Sequence, residues 1–215
     1  MNYLKYLLVS LFLCSGLFAQ NVVLIQMDDV GIDKVSSYGM NGCANTPNID
    51  SLANGGVRFT NCYSMPVCSP TRATLLTGEY PFRHLIGRAI PLTQDFGLNP
   101  LNPNLLPKAL PANYTKIALG KWHLHAPSVG GAWHPIFCGF NMFYGSLENI
   151  PQYGSYYNWQ KTYTDGTQTF TFNTTKYATL DTADDLITAY TFATNQLQPF
   201  FIYCNFNAAH TPWEY

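Results

Sequence analysis

Two adjacent carboxylates stand where a buried strand is expected to end. Asp28 and Asp29 directly follow the run 21–27, NVVLIQM, which is short, apolar and rich in β-branched residues. Such a run is typical of a buried strand, and its abrupt end in acidic residues places both carboxylates at the tip of that strand. The pattern favours a metal site, although adjacent acids can also cap a helix or stay solvated.

A cysteine stands at the expected start of a helix. Cys68 precedes a segment that has no helix breaker after Pro70 and that stops near Gly78, which predicts a helix over 69–76. The thiol is therefore expected at a helix N-terminus. Taken alone, it would be a buried thiol or one half of a disulfide.

Three further polar residues follow apolar runs in the same way. Lys121 and His123 lie just after the predicted strand 116–119, and His210 lies after the predicted strand 200–206. A lone histidine is more often structural than catalytic, and a lone lysine is usually a surface cation. The ends of strands are nevertheless where ligands gather in open α/β sheets.

The elements that position these residues alternate between strands and helices. Pro47 opens a helix with Thr46 as its N-cap, and Gly55 and Gly56 end it. The other expected elements are a strand at 57–60, a mostly irregular segment 81–111 with a short helix at 105–110, a hairpin around 169–173 and a helix over 181–197. This alternation predicts an α/β sheet. The aromatic-rich segment 126–176 is expected to line a substrate cleft.

Composition excludes disorder and a nucleic-acid partner. The 215 residues are 47% hydrophobic and only 11% charged, which provides enough apolar material for a sizeable core. The net charge is −1, and no run of basic residues is available to neutralise a phosphate backbone. A globular protein that does not bind nucleic acid is expected.

Residues 1–19 have the pattern of a cleavable signal peptide. Lys5 lies in a short n-region, the apolar stretch 6–18 follows, and Ala19 is a small residue at which a peptidase could cut. As a membrane span the stretch is short and is interrupted by serines and a glycine, so no stable membrane anchor is expected. The mature protein would be secreted or periplasmic.

Several ordered motifs resemble one known family. The segment 68–78 reads CSPTRATLLTG, which resembles the signature of the type I sulfatases, a formylglycine-dependent family of the alkaline-phosphatase-like superfamily. Further pieces follow the family's order: DDVG at 28–31, TPNID at 46–50, GKWH at 120–123 and HTP at 210–212. The resemblance covers residues 20–215 and is weakest across 126–176. It implies an alkaline-phosphatase-like mixed sheet flanked by helices, of which this chain would be the N-terminal portion of the catalytic domain.

The resemblance also implies a nucleophile and a cofactor. In that family a maturation enzyme oxidises the signature cysteine, here Cys68, to formylglycine, whose hydrated aldehyde attacks the sulfur of a sulfate ester. One Ca²⁺ ion would be held by Asp28, Asp29 and the hydrate at residue 68, activating the nucleophile and neutralising sulfate charge. The expected substrate is a sulfated carbohydrate or aryl compound.

Four further residues match catalytic positions of the family. Arg72 would hydrogen-bond the hydrate, and Lys121 would contact a sulfate oxygen. His123 would act as the base that triggers release of sulfate, and His210 would contact sulfate and protonate the leaving oxygen. His125 stands where the family often has glycine, and we interpret it as incidental.

Export permits disulfides, and an odd number of cysteines remains beyond the leader. Because a disulfide would block maturation of the nucleophile, we expect none of the others to pair with Cys68. Cys204 lies within an apolar run and is expected to be a buried thiol. The five cysteines are Cys43, Cys62, Cys68, Cys138 and Cys204.

The family's remaining donors have no counterpart before Tyr215. The other calcium ligands, an Asp with an Asn or Gln, and a second sulfate-binding lysine follow the histidine that His210 matches. We therefore expect a truncated domain that is inactive alone and whose last strand presents an unpaired apolar edge. Two alternatives stay open: a phosphonate or phosphodiester hydrolase of the same superfamily, and an inactive secreted module that binds sulfated glycans.

Overall fold

A mixed sheet forms the centre of the structure, a computed structural model that describes residues 20–91, 94–150 and 155–212. In this part of the chain the strands are β1 (Val22–Gln26), β2 (Thr115–Gly120), β3 (Met142–Gly145), β4 (Trp159–Thr164), β5 (Thr169–Thr174) and β6 (Phe200–Asn205). They form a sheet in the order β1-β6-β2-β3-β4-β5. The first four strands in this order are parallel, and β4 and β5 form an antiparallel hairpin. The predicted mixed α/β sheet is confirmed.

Helices cover both faces of this sheet. They are α1 (Pro47–Gly55), α2 (Cys68–Thr77), α3 (Pro81–His84), α4 (Leu106–Ala109), α5 (His134–Phe137) and α6 (Ala178–Thr194), with 3-10 turns at Ile32–Lys34, Ser36–Tyr38, Pro127–Val129 and Gly131–Trp133. Successive side chains of a strand point to opposite faces. In β2, Ala118 therefore packs in the core that contains α2, whereas Ile117 and Leu119 pack in the core that contains α6.

The predicted starts of two helices are confirmed. α1 begins at Pro47, and α2 begins at Cys68, one residue earlier than predicted. Gly78 ends α2 in the left-handed conformation, with a φ of 67°. The predicted strand 57–60 is wrong, because these residues are exposed and pair with no strand in the described part of the chain. A β-branched and aromatic composition does not form a strand without a neighbour.

The strand order places the open edge of the sheet differently from the expectation. β6 lies between β1 and β2 and is buried along its whole length, as a central parallel strand is. Among the described residues β1 is the outer strand, and its Val22, Val23 and Ile25 are 41%, 40% and 50% exposed. The predictions of an open edge at the last strand and of a buried first strand are therefore wrong.

The carboxyl ends of the four parallel strands meet at one edge of the sheet. Two glycines permit close packing there. A Cβ atom on Gly120, whose φ is 73°, would lie 1.9 Å from the carbonyl oxygen of Asn205, and one on Gly145 would lie 2.0 Å from that of Gly120. The backbones thus approach more closely than a side chain would allow. Residues that follow β1, β2, β3 and β6 are brought together at this edge.

Candidate active site

A buried carboxylate with two cations lies at the centre of this edge. Asp28, Lys121 and Arg72 are 5%, 1% and 0% exposed. The Lys121 ammonium donates to Oδ2 of Asp28, and Nη2 of Arg72 lies 3.6 Å from the same oxygen. Nη1 of Arg72 donates to the Lys121 carbonyl over 2.8 Å. Buried charges require partners, and this cluster has one more positive charge than negative.

The side chain of Arg72 has hydrogen-bond donors that are available to a further group. Nε and Nη2 of Arg72 are buried and have no hydrogen-bond acceptor among the described residues. Buried N–H groups without acceptors are costly, so an additional oxygen atom is expected beside Nε and Nη2 of Arg72 when the site is in use. Arg72 lies one turn after Cys68 on α2. The cluster is therefore suited to an anion held next to residue 68.

The thiol of Cys68 faces a histidine whose tautomer can be assigned from its contacts. Sγ of Cys68 lies 3.1 Å from Nδ1 of His123, and Nε2 of His123 lies 2.9 Å from the carbonyl oxygen of Ile90. Because a carbonyl can only accept, Nε2 carries the proton and Nδ1 presents a lone pair to residue 68. Burial, assisted by the charge of Lys121, lowers the pKa of His123. The ring is therefore a neutral base aimed at residue 68.

The backbone holds this histidine in an uncommon conformation. His123 has a φ of 53°, in the left-handed region that few residues other than glycine adopt. Its N–H donates to the Leu147 carbonyl over 2.9 Å, and the N–H of Trp122 donates to the Ser146 carbonyl over 2.9 Å. The segment after β3 therefore fixes the segment after β2, and strain of this kind is common at functional sites.

Sequence reasoning missed Glu148, which follows β3. Its carboxylate lies 3.7 Å from Nε2 of His123 and 3.1 Å from Nδ1 of His125. Burial raises the pKa of Glu148 to about 7. The sequence indicates no role for His125, whereas the structure places it in contact with a partly buried acid beside the site. The apolar run of β3 followed by a polar segment is the signal that would have indicated Glu148.

His210 lies beside the second carboxylate of the pair. Nε2 of His210 is 4.0 Å from Oδ2 of Asp29, and its Nδ1 donates to the Thr211 carbonyl over 2.7 Å. Both ring nitrogens of His210 thus face oxygen atoms. The N–H of Asp28 donates to the Ala208 carbonyl over 3.1 Å, which holds the His210 segment next to β1.

Asp28, Asp29 and Cys68 line one open cleft of about 390 Å³. Their oxygen donors suit calcium once residue 68 carries an aldehyde hydrate, but calcium takes about 6 to 8 oxygens. Among the described residues, no group of three or more histidine, cysteine, aspartate or glutamate side chains is arranged to hold a metal ion. Asp28, Asp29 and residue 68 are the positions in this cleft that could hold such an ion.

The cysteines of the described part are all free, so Cys68 has no disulfide partner there. Cys204 is a buried thiol in β6, as predicted, and burial raises its pKa to about 12. Burial likewise raises the pKa of Cys138 to about 12. Cys68, which is only partly buried, is the cysteine that lines the cleft.

Two further expectations concern the chain away from the site. The predicted signal peptide, residues 1–19, lies outside the described residues. Within the described ranges, no helix is both long and apolar enough to cross a membrane.

The aromatic-rich segment 126–176 is divided between two places. Trp159 and its neighbours lie at the edge of the sheet that carries the site, whereas Tyr163 and Phe170 stack on each other farther along the hairpin. Only part of that segment is placed to form a cleft wall.

Comparison with known proteins gives a consistent result. The family model described as Sulfatase matches residues 20–215. N-acetylgalactosamine-6-sulfatase of Mus musculus is 33% identical over 89% of this chain and 40% of its own length. Steryl-sulfatase of Homo sapiens is 37% identical over 60% of this chain and 24% of its own length. The chain therefore spans less than half the length of these relatives.

Solved structures show the same likeness. The crystal structure of Ps i-CgsB superimposes with a TM-score of 0.74 at 31% identity, over 91% of this chain and 46% of that chain. The structure of BT4656 in complex with D-glucosamine-2-N,6-O-disulfate gives a TM-score of 0.69 at 28% identity, over 92% of this chain and 36% of that chain. The similarity extends over nearly all of the sheet and its flanking helices.

Proposed function

This chain belongs to the sulfatase family, and we propose that it supplies the nucleophile and part of the sulfate pocket of a secreted enzyme that hydrolyses sulfate esters of a carbohydrate or an aryl alcohol. The observation that carries the proposal is the 3.1 Å contact between Sγ of Cys68 and the unprotonated nitrogen of His123. A base aimed at this residue is what a covalent sulfatase mechanism requires.

The thiol must first become an aldehyde. A maturation enzyme would supply the oxidant for this two-electron oxidation, in which Cβ of Cys68 gains a carbonyl oxygen and its sulfur leaves as hydrogen sulfide. Water adds to the aldehyde to give two hydroxyls on one carbon. One hydroxyl attacks the sulfur of the substrate and loses its proton to water, the alcohol leaves with a proton from His210, and the sulfate group stays bound to residue 68 as an ester. The other hydroxyl then loses its proton, the carbonyl forms again and the bond to sulfate breaks.

The residues around Cys68 have separate tasks in these steps. Nδ1 of His123 accepts the proton whose removal expels sulfate, since its lone pair faces residue 68. Arg72 donates to oxygens of the hydrate through its unpaired nitrogens, and Lys121 adds positive charge for the sulfate. Nε2 of His210 gives a proton to the leaving alcohol oxygen.

Calcium belongs to the same proposal. Asp28, Asp29 and an oxygen of the hydrate at residue 68 would hold the ion, because all three positions line the same cleft. When bound, the ion would lower the pKa of the attacking hydroxyl and neutralise sulfate charge. Its remaining oxygen donors would come from beyond the described residues.

The test uses the full-length gene product expressed with a formylglycine-generating enzyme. Mass spectrometry of the peptide that contains residue 68 should show the mass of the aldehyde in place of the thiol. The converted protein should hydrolyse 4-nitrophenyl sulfate faster than the matching phenylphosphonate ester, and Cys68→Ala should abolish both activities. Faster hydrolysis of the phosphonate would contradict the proposal, as would full sulfatase activity with an unmodified thiol.

A further inference from the structure

A second cavity lies at the same edge of the sheet. It is lined by residues 146–150, which follow β3, and by Trp159, Gln160 and Thr162 of β4, and its volume is about 130 Å³. Gly145, at the end of β3, pairs with Thr162. The cavity is therefore built on the strand end next to the one that carries Lys121 and His123.

Glu148 connects this cavity with the site at Cys68. It lines the cavity, and its carboxylate lies 3.7 Å from Nε2 of His123. His123 in turn contacts Cys68 through Nδ1. The segment that forms the cavity wall also accepts the backbone hydrogen bonds of Trp122 and His123. The chain of contacts from residue 68 to this cavity therefore runs through two side chains, those of His123 and Glu148.

Two acceptors of the cavity, on Glu148 and Asn149, are not fully paired with donors. Oδ1 of Asn149 is buried and has no hydrogen-bond partner among the described residues. Burial raises the pKa of Glu148 to about 7, as is typical of a carboxylate that has lost its water without gaining enough donors. Among the described residues that line the cavity, Glu148 is the only ionisable one, and none is a lysine or an arginine. A buried acceptor without a donor, beside a partly buried carboxylate, favours a ligand that brings hydroxyl donors.

We propose that this cavity binds hydroxyl groups of the alcohol part of a carbohydrate sulfate, with the carboxylate of Glu148 and Oδ1 of Asn149 as acceptors. This rests on the proposed function at Cys68. The cavity is smaller than pockets that enclose a whole drug-sized ligand, which occupy about 300 Å³ or more. It therefore takes one edge of a sugar ring, and the negative charge of Glu148 selects neutral hydroxyls over a second sulfate at that edge.

The test compares substrates with and without hydroxyls on the converted full-length gene product. The substrates are 4-nitrophenyl sulfate and the positional monosulfates of galactose and of N-acetylglucosamine. For the sugar sulfate that is hydrolysed best, Asn149→Ala should lower the ratio of its kcat/KM to that of 4-nitrophenyl sulfate about tenfold, the effect of losing one buried acceptor. The matched control is Asn195→Ala, an exposed asparagine at the end of α6, which should change that ratio less than about twofold.

Glu148→Gln tests the charge with nearly unchanged shape. It should raise the kcat/KM of a galactose disulfate relative to the monosulfate, whereas Glu79→Gln, which removes a remote carboxylate, should not. An equal loss on sugar and aryl sulfates in Asn149→Ala, or unchanged ratios in both variants, would overturn the inference and leave the proposed function standing. Hydrolysis of aryl sulfate with no carbohydrate sulfate accepted would overturn it too. No hydrolysis of any sulfate ester would overturn the proposed function and this inference together.

Discussion

The indole nitrogen of Trp122 donates a hydrogen bond to Nδ1 of His134 over 2.9 Å. Trp122 stands between Lys121 and His123, so this bond fixes the residue that separates two site residues. Nε2 of His134 donates to the Leu98 carbonyl over 2.8 Å, which assigns the proton of the ring to Nε2. Both polar atoms of the histidine are satisfied only when the ring is neutral.

His134 should make stability depend on pH. Burial lowers the pKa of His134 to about 4, against an ordinary value of 6.5. The unfolded chain therefore binds the proton first as pH falls, and the stabilisation from the neutral ring is present above pH 6.5 and is lost between about 6.5 and 4. That loss is on the order of 3 kcal/mol. His134→Ala should be less stable at pH 7 and should flatten this dependence.

Urea unfolding of the wild type and of His134→Ala across this pH range measures the difference. The control is Phe137→Ala on the same short helix, which removes an exposed ring that does not titrate. A wild type and a His134→Ala variant with parallel stability curves between pH 4 and 6.5 would show that the histidine is not held neutral.

Gly120 should not tolerate a side chain. A Cβ atom there would lie 1.9 Å from the Asn205 carbonyl oxygen and the residue has a φ of 73°. Gly120→Ala should therefore separate β2 from β6 and lower the melting temperature severely. Gly166→Ala is the matched control, because Gly166 has a φ of 83° but its nearest atom would be 3.4 Å away. Gly166→Ala should lower the free energy of unfolding only by the strain of the left-handed backbone, about 1 kcal/mol. Equal melting temperatures for the two variants would contradict the packing argument.

The buried pair of Asp28 and Lys121 should show strong coupling. Lys121→Met leaves the carboxylate with Arg72 alone, at 3.6 Å, and should lower the free energy of unfolding by about 3 kcal/mol. Adding Asp28→Asn should restore part of that loss, since no buried carboxylate then remains unpaired. The exposed pair Asp33 and Lys34, at 2.8 Å, is the control and should show no measurable coupling in the same double-mutant cycle. Additive losses at Asp28 and Lys121 would mean that the two charges do not stabilise each other.

Loss of the base should trap the covalent intermediate. If Nδ1 of His123 accepts the proton that expels sulfate, His123→Ala should slow this step about 10²- to 10⁴-fold while attack on sulfur continues. Intact-protein mass spectrometry after mixing with substrate should then show sulfate bound to residue 68. His84→Gln, at a histidine on α3 that contacts Thr74, is the control and should show no such adduct. A slow His123→Ala variant without an adduct would assign His123 to the first step instead.

The local sequence was sufficient to place Cys68 and His123. α2 begins where the segment without breakers begins, and β2 ends where an apolar run meets Gly120. Strand order was not predictable, because β1 and β6 have almost equally apolar sequences, and only the pairing of both neighbours makes β6 central. Sequence patterns report how a segment is buried and not which segment lies beside it.

Glu148 shows why part of the site was missed. β3 is only four residues long and was not predicted, so the short apolar run before Glu148 was not recognised as a strand that ends beside His123. The contact exists because β3 pairs with β2 and both strands end at the same edge. The pairing of Lys121 with Asp28 arises in the same way, from β1 and β2 on either side of β6. Contacts of this kind depend on the sheet topology, which the ordered motifs do not encode.

Activity should depend on calcium and on more of the protein than this chain. The described residues offer the ion Asp28, Asp29 and residue 68, whereas calcium takes about 6 to 8 oxygens. The converted full-length gene product should therefore hydrolyse 4-nitrophenyl sulfate, lose that activity in a chelator and regain it when calcium is restored. Residues 1–215 alone should be at least about a hundredfold slower, because preorganised positive charge would be missing.

The comparison is decisive only if both proteins carry the aldehyde, so conversion of residue 68 is verified by mass before either assay. Circular dichroism of the short chain at the assay temperature separates an unfolded protein from a folded one with an incomplete site. Calcium binding measured by titration calorimetry should be weak in the short chain and absent in its Asp28→Asn variant. A folded, converted short chain that matched the rate of the full-length protein would show that the donors on this chain suffice, and the proposed shared calcium site would be wrong.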